Sequence, residues 1–368
     1  MRKLAHIEKI EWISPIPNAD NIELVGVLGW QCIAKKGEFQ LGDKCIYIEI
    51  DSIVDKNNSA FAFLEPRGFK IKTTKMRGVL SQGIVFPLSI LPDGDKYAIG
   101  DDVTDVLNIT KIEDDVPSTL PTPTKFESRH RYFSKTKIYK YLLRFDWFKN
   151  IINRNSQSLT LPSWIKKTDE TRVQDIPWII ERAKGIPLIV TEKLDGTSAT
   201  FGLRKLKRNK YEFVVCSRNQ IQSDLEKDKN FYYQIAEKYN IRAALEDIIK
   251  DMQPGTTVVL QGEIIGSGIQ KNKYHINDKD FYAFNLLING YKVCSLTGEI
   301  IVERYNMKWV PILETEFQIL PTVAEMLAYA DGQSVIGNTL REGLVIRSLD
   351  NSISFKCVSN KFLLKNKI

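Results

Sequence analysis

Long apolar runs are missing from this sequence, and so is any dense set of metal-binding or disulfide-forming residues. No stretch of the 368 residues comes near the roughly 20 consecutive apolar positions that a membrane-spanning helix requires, so no membrane partner is expected. Residues 1–10 are too charged, and too short in apolar positions, to serve as a secretory signal. The chain is therefore expected to stay in the cytoplasm. The three histidines (His6, His130, His275) lie far apart, and the five cysteines (Cys32, Cys45, Cys216, Cys294, Cys357) form no Cys-x-x-Cys pair. A zinc centre or a disulfide framework is disfavoured on both counts. Four of the cysteines fall in apolar or β-like runs and read as small buried hydrophobes.

What is present is a chain long enough for two domains, each with its own core. The formal net charge is +7, and it is unevenly placed. Residues 125–154 carry nine Lys and Arg against Glu127 and Asp146, a surplus as large as that of the whole chain. Such a cluster suits a polyanion partner, and a solvated helix face accounts for it equally well. Within it, residues 138–152 read as a helix with Leu142, Phe145, Phe148 and Ile152 on one side. The apolar side is expected to pack on the catalytic domain.

Residues 1–115 read as all-β. Short apolar runs alternate with turn signals such as Lys36-Gly37, Gly42-Asp43 and Asp93-Gly94, the spacing of a small barrel. The basic run Arg67, Lys70, Lys72, Lys75 and Arg77 would give such a barrel one positive side. It serves either nucleic-acid contact or a solvated edge strand that resists pairing. Residues 108–124, with Pro117, Pro121 and Pro123, have linker composition. The expected division is a barrel over 1–115, a linker and basic helix over 116–160, and a catalytic domain over 161–368.

In that last part an apolar run over residues 186–190 leads into Glu192-Lys193-Leu194-Asp195-Gly196, and a second strand-like run follows at 199–203. Lys193 and Asp195, two apart on extended chain, point the same way, and Gly196 supplies backbone freedom. Asp-Gly is also ordinary hairpin punctuation. Downstream come Ser217-Arg218-Asn219, Gly262-Glu263-Ile264, the run Asp280 to Asn285 containing Phe284, then Glu342-Gly343-Leu344-Val345-Ile346-Arg347 and Phe355-Lys356. Phe231 to Ile249 reads as one helix, Asn289-Gly290 as a hairpin turn, and Thr322 to Glu325 as a capping box.

Taken in order, these pieces resemble motifs I, Ia, III, IIIa, IV and V of the covalent nucleotidyltransferases, the superfamily of ATP-dependent DNA and RNA ligases and capping enzymes. The N-terminal part, with Gly29-Trp30-Gln31, Lys36-Gly37-Glu38 and Tyr47-Ile48-Glu49, resembles the OB-like domain attached to one nick-sealing group of RNA ligases. The lead-in from Leu161, with Thr168, Asp169 and Arg172, resembles the segment those ligases place before the nucleophile; a helix capped by Thr168 or Asp169 is the alternative. The fold class implied is α+β, an OB-like β-barrel followed by an antiparallel-sheet nucleotidyltransferase domain of the ATP-grasp-like ligase type.

The resemblance implies an ATP-dependent RNA ligase in which Lys193 takes AMP from ATP, passes it to an RNA 5′-phosphate, and a 3′-hydroxyl then displaces it. A free lysine titrates near roughly 10.4 and must lose its proton to attack, which nearby positive charge or desolvation assists. Asp195, Glu263 and Glu342, placed at strand ends or starts, would hold Mg2+ or Mn2+, for which oxygen ligands suit. The nucleotide contacts implied are Glu192, Lys193, Asp195, Gly196, Arg218 on ribose or phosphate, Glu263, Phe284 stacked on adenine, Glu342, and Lys356 on the α-phosphate. Position 358, where related ligases often carry a second lysine, is valine here, and Lys361 or Lys365 is the nearest substitute. The partners implied are ATP and RNA ends or a nicked duplex, with the protein a monomer. DNA ligation, GTP-dependent capping and a non-catalytic RNA-binding role are the alternatives; the barrel in front, and an end twelve residues after Lys356, favour RNA ligation.

Overall fold

The computed structural model describes residues 3–112, 133, 136–142, 144–145, 148, 161–222 and 230–366. Of the linker proposed at 108–124, residues 108–112 are described and belong to the N-terminal module, with Thr110–Lys111 paired to Ser52 and Ile53; the rest, and most of the basic segment 125–154, lie outside the described residues. Of that segment, a short helix Lys137–Leu142 is described, and Tyr139 and Phe148 are buried beside Phe133 and Leu142 in a small cluster of their own. Phe145, expected on the apolar side, is exposed and meets Tyr141 edge to face.

The N-terminal module is built from short antiparallel strands around one core. Lys44–Ile48 pairs with Ala5–Lys9 on one side and Ile84–Phe86 on the other, and Trp12–Pro15, Ile22–Val27 and Trp30–Lys35 form a meander. Along Trp30–Lys35 the side chains alternate, with Trp30, Cys32 and Ala34 buried and Gln31 and Ile33 partly open, as a half-buried strand dictates. Trp30, Tyr47, Phe61 and Ile46 are among the largest side chains fully buried there. Each contributes about 1.5–3 kcal/mol by leaving water. Two residues from the far end of the chain, Val358 and Leu363, join this same cluster.

The C-terminal module holds two sheets. In the first, Leu188–Lys193 lies between Ile312–Phe317 and Gly343–Ser348, and Ser354–Val358 extends the far side. In the second, Thr197–Lys205 lies between Tyr211–Ser217 and Thr257–Gly266, followed by Lys279–Ile288 and Tyr291–Lys292. Asn289 and Gly290 turn the last hairpin with φ of 52° and 81°, as the Asn-Gly dipeptide predicts. Thr322 caps the helix Val323–Ala330 by accepting from the Glu325 amide at 3.2 Å.

Three expectations change. The stretch from 231 is two helices, Phe231–Lys238 and Ile241–Ile249, because Asn240 takes a left-handed conformation (φ 46°) and Tyr239 turns its hydroxyl onto Asp280. Residues 168–171 stay extended; the turn Val173–Asp175 that follows begins at Arg172, so neither Thr168 nor Asp169 caps a helix. Glu263 lies inside the strand Thr257–Gly266 instead of at its end.

Candidate active site

Lys193 ends a strand of the first sheet and Thr197 begins a strand of the second. The turn at 194–196 thus crosses between sheets, which settles it as something other than a hairpin. Gly196 is required by close approach rather than by backbone freedom: a Cβ there would stand 2.3 Å from the Ile264 carbonyl oxygen. The turn is seated from below by Tyr274, whose buried hydroxyl accepts from the Asp195 amide at 2.7 Å. Lys273, beside it, pairs with the Asp195 carboxylate and rests over the Phe362 ring at 4.6 Å. Neither Lys273 nor Tyr274 stood out in the sequence, since both belong to a polar loop ten residues past Glu263 with no periodic pattern.

Around this turn charges of both signs are crowded together. Lys193 Nζ donates to Glu342 Oε2 at 2.6 Å. Burial alone would lower the Lys193 pKa, but Glu342, Glu263 and Asp195 outweigh it and hold the ammonium above its ordinary value. Burial pushes the Glu263 carboxyl up to about 8; Lys193 pulls it down, and Glu342 and Asp195 raise it further. Three carboxylates therefore gather about Lys193, with Lys273 paired to Asp195, and Lys356 and Arg218 acting on Glu342 and Glu263. Among the described residues no three Asp, Glu, His or Cys side chains converge closely enough to hold a metal by themselves. The donor set still fits a divalent cation that takes part of its oxygen shell from a bound nucleotide, because carboxylate oxygens are the ligands such an ion prefers.

Of the other expected residues, Arg218 and Lys356 reach this centre electrostatically. Glu192 is 1% exposed; its Oε2 accepts from the Val335 amide at 3.0 Å, while Oε1 is buried with no partner. Burial raises its pKa, against hydrogen bonds from Ser334 and Val335. Phe284 is half-buried on Lys279–Ile288. Arg218 pairs with Asp169 at 2.5 Å, and Thr168 meets Ser198 hydroxyl to hydroxyl at 3.4 Å. Lys356 acts electrostatically on both Glu342 and Asp169, and its amide donates to the Thr171 carbonyl at 2.8 Å. Lys361 is exposed and 3.8 Å from Asp331, and Val358 is 3% exposed in the barrel-side core.

The lead-in also fastens the N-terminal module. Arg172 donates to Asp51 at 2.9 Å and lies over the Trp30 ring, Trp30 Nε1 donates to Asp175 at 2.8 Å, and the Gly29 amide donates to the Gln174 carbonyl at 2.9 Å. A Cβ on Gly29 would meet Gln174 Cα at 2.6 Å, so only glycine allows this approach.

A lysine at a sheet crossing, faced by carboxylates and preceded by a β-rich module, defines a nucleotidyl-transfer architecture, and comparison with known proteins gives the particular kind. A family model of an OB-fold domain matches residues 4–88, and the RNA ligase family model matches residues 186–367. Among solved structures, Naegleria gruberi RNA ligase with pyrophosphate superposes with a TM-score of 0.82 at 32% identity, covering 100% of this chain and 99% of that one. A lysine-to-methionine variant of that protein with AMP and manganese gives 0.81 at 32%, with the same coverage. A glutamate-to-alanine variant with ATP and manganese gives 0.81 at 32%, covering 100% of both chains. No match is found among curated proteins. The chain belongs to the RNA ligase family, as an N-terminal OB-fold domain followed by a ligase domain. That membership selects RNA ligation over the DNA-ligase and capping alternatives.

Proposed function

We propose that this RNA ligase is ATP-dependent and joins a 3′-hydroxyl to a 5′-phosphate through a lysyl-AMP on Lys193, at nicks in duplex RNA during RNA repair. The observation that carries the reading is Lys193 Nζ held at 2.6 Å from Glu342 with Glu263 and Asp195 in electrostatic reach. The similarity to an RNA ligase solved with ATP or AMP and manganese supports the choice of nucleotide and metal. Asp195, Glu263 and Glu342 would hold Mn2+ or Mg2+, which would supply positive charge to lower the Lys193 pKa and to offset charge on the phosphate.

The chain's own groups supply the rest. Glu342 Oε2 orients Nζ, whose proton passes to water before attack. The freed amine forms a bond to the α-phosphorus, and the bond to the β-phosphate oxygen breaks as pyrophosphate leaves with its electron pair. A 5′-phosphate oxygen of RNA then displaces Lys193 from AMP, and the 3′-hydroxyl displaces AMP. Lys356 and Arg218 place cations about the phosphates, and Phe284 gives the base a stacking face. The unpartnered Glu192 Oε1 is a buried acceptor that suits the 6-amino group of adenine and would repel the 6-oxygen of guanine.

RNA contact is assigned to the barrel, where Arg67, Lys70, Lys75 and Arg77 are exposed and Lys72 partly so. The module boundaries are placed near residues 115 and 160. A monomer is proposed, and a cytoplasmic location, the latter in keeping with five free cysteines; no described helix is long and apolar enough to cross a membrane. Incubation with radiolabelled ATP or GTP and manganese tests the reading. Covalent label from ATP alone, followed by sealing of a nicked RNA duplex, is expected; no label, or label from GTP, contradicts it.

A further inference from the structure

One carboxylate in the lead-in has no part in the chemistry above. Glu170 Oε1 accepts from Arg347 Nη2 at 2.9 Å and Lys292 Nζ at 2.8 Å, and Oε2 accepts from Ser354 Oγ at 2.6 Å. The opposite edge of the same guanidinium reaches elsewhere: Arg347 Nη1 donates to the Phe284 carbonyl at 2.9 Å. Arg347 belongs to the first sheet and Phe284 to the second, so this fork spans the two.

Phe284 is also where the second sheet is irregular. Gln261 pairs with Asn285 and Gly262 with Ala283, so Phe284 is an extra residue, bulged out of the ladder. A bulged residue loses its regular pairing and has its side chain re-aimed. A carbonyl displaced from regular pairing needs another donor, and Arg347 provides one to the part-buried carbonyl of Phe284. We propose that Glu170 is a positioning residue of the ligase reaction: it fixes the Arg347 fork that caps the Phe284 carbonyl, and thereby sets the angle at which the Phe284 ring meets adenine. The inference rests on the reading of Phe284 as the base platform.

The reason is electrostatic as well as geometric. Arg347 is 5% exposed, and a planar guanidinium points its donors where its partners hold it. Without the Glu170 carboxylate, Arg347 and Lys292 would be two cations facing one another with their shared counter-ion gone. The fork would then swing, and the bulge would lose its fixed orientation.

The test measures initial rates of AMP transfer to the full chain against ATP concentration, with manganese fixed. Glu170→Gln should raise the KM for ATP about tenfold with kcat within about threefold. Lys292→Met removes a second partner of Glu170 but leaves the link to Phe284, so it should lower Tm and leave KM as it is. An unmoved KM in Glu170→Gln, or an equal rise in Lys292→Met, overturns the proposal, since a merely structural knot changes the amount of active protein and not KM. Should Glu170→Gln fail to fold, Arg347→Lys keeps a cation for Glu170 but loses the fork, and a raised or unmoved KM there decides in the same way. Phe284→Leu must raise KM too; an unmoved KM in that variant overturns the platform reading and this inference with it. Absence of covalent label on the unaltered chain contradicts the lysyl-AMP reading itself.

Discussion

Two partly buried glutamates of the ligase domain carry pKa values pushed in opposite directions. Burial works against the charge of both. At Glu170 it is outweighed by Arg347, Lys292 and the Ser354 hydroxyl, and the carboxyl is held down at about 2. At Glu263 burial is joined by Glu342 and Asp195, with Lys193 the main relief, and the carboxyl is pushed up to about 8. Neighbours, not depth, decide the outcome. The settled carboxylate is locked among three partners, and the unsettled one lies beside the lysine proposed to react.

The comparison breaks if the two kinds of carboxylate respond alike to removal. Asp195→Ala, Glu263→Ala and Glu342→Ala should each cut the rate of AMP transfer by about 100-fold or more while Tm moves by only a few degrees. Loss of fold in step with loss of activity would make them structural. Glu170→Gln should behave in the opposite manner for stability, costing roughly 3 kcal/mol in urea denaturation because it strands a buried cation. The pH dependence sharpens this. The folded pKa of Glu170 is about 2 and its ordinary value 4.5, so its contribution is complete above 4.5 and is lost as pH falls towards 2. The stability gap between the unaltered chain and Glu170→Gln should therefore narrow over that window, and a constant gap would refute the ion-pair account.

The N-terminal module offers smaller effects. Deleting it is a poor test, since Val358 and Leu363 would lose their place in its core. Replacing Arg67, Lys75 and Arg77 by alanine together should lower nick sealing at limiting RNA about tenfold and flatten its salt dependence, with AMP transfer unchanged. Unchanged sealing would mark the run as a solvated face. In the same module the His6 ring is buried between Glu8, 2.6 Å from Nδ1, and Glu49, 3.5 Å from Nε2. Burial lowers its pKa, but the two carboxylates raise it to about 9. That raised value adds stability fully present below 6.5 and lost as pH rises through 9, so the advantage of the unaltered chain over His6→Asn should shrink across that range.

The lysine and carboxylates of the proposed site were legible because chemistry fixes residue type and order, and Lys193 does lie within electrostatic reach of Asp195, Glu263 and Glu342. The strands were legible from alternation, as in Trp30–Lys35, and the Asn289-Gly290 hairpin from its turn dipeptide. What was hidden depends on contacts remote in sequence. Glu170 and Arg347 are 177 positions apart, and neither has a local pattern to mark it. The role of Gly196 is set by the Ile264 carbonyl, and the burial of Val358 by a barrel more than 200 residues earlier in the chain. The break at Asn240 interrupts an apolar pattern that continues through it, so periodicity alone could not show it.

The central claim is that Lys193 is the residue that carries AMP. It is tested most directly by incubating the chain with ATP and manganese, digesting it and locating the modified peptide by mass spectrometry, beside Lys193→Arg, which keeps the positive charge but stays protonated and cannot attack. The account predicts one AMP adduct, on Lys193, and none in the arginine variant although it folds. An adduct on another residue, or one that persists in Lys193→Arg, would contradict it.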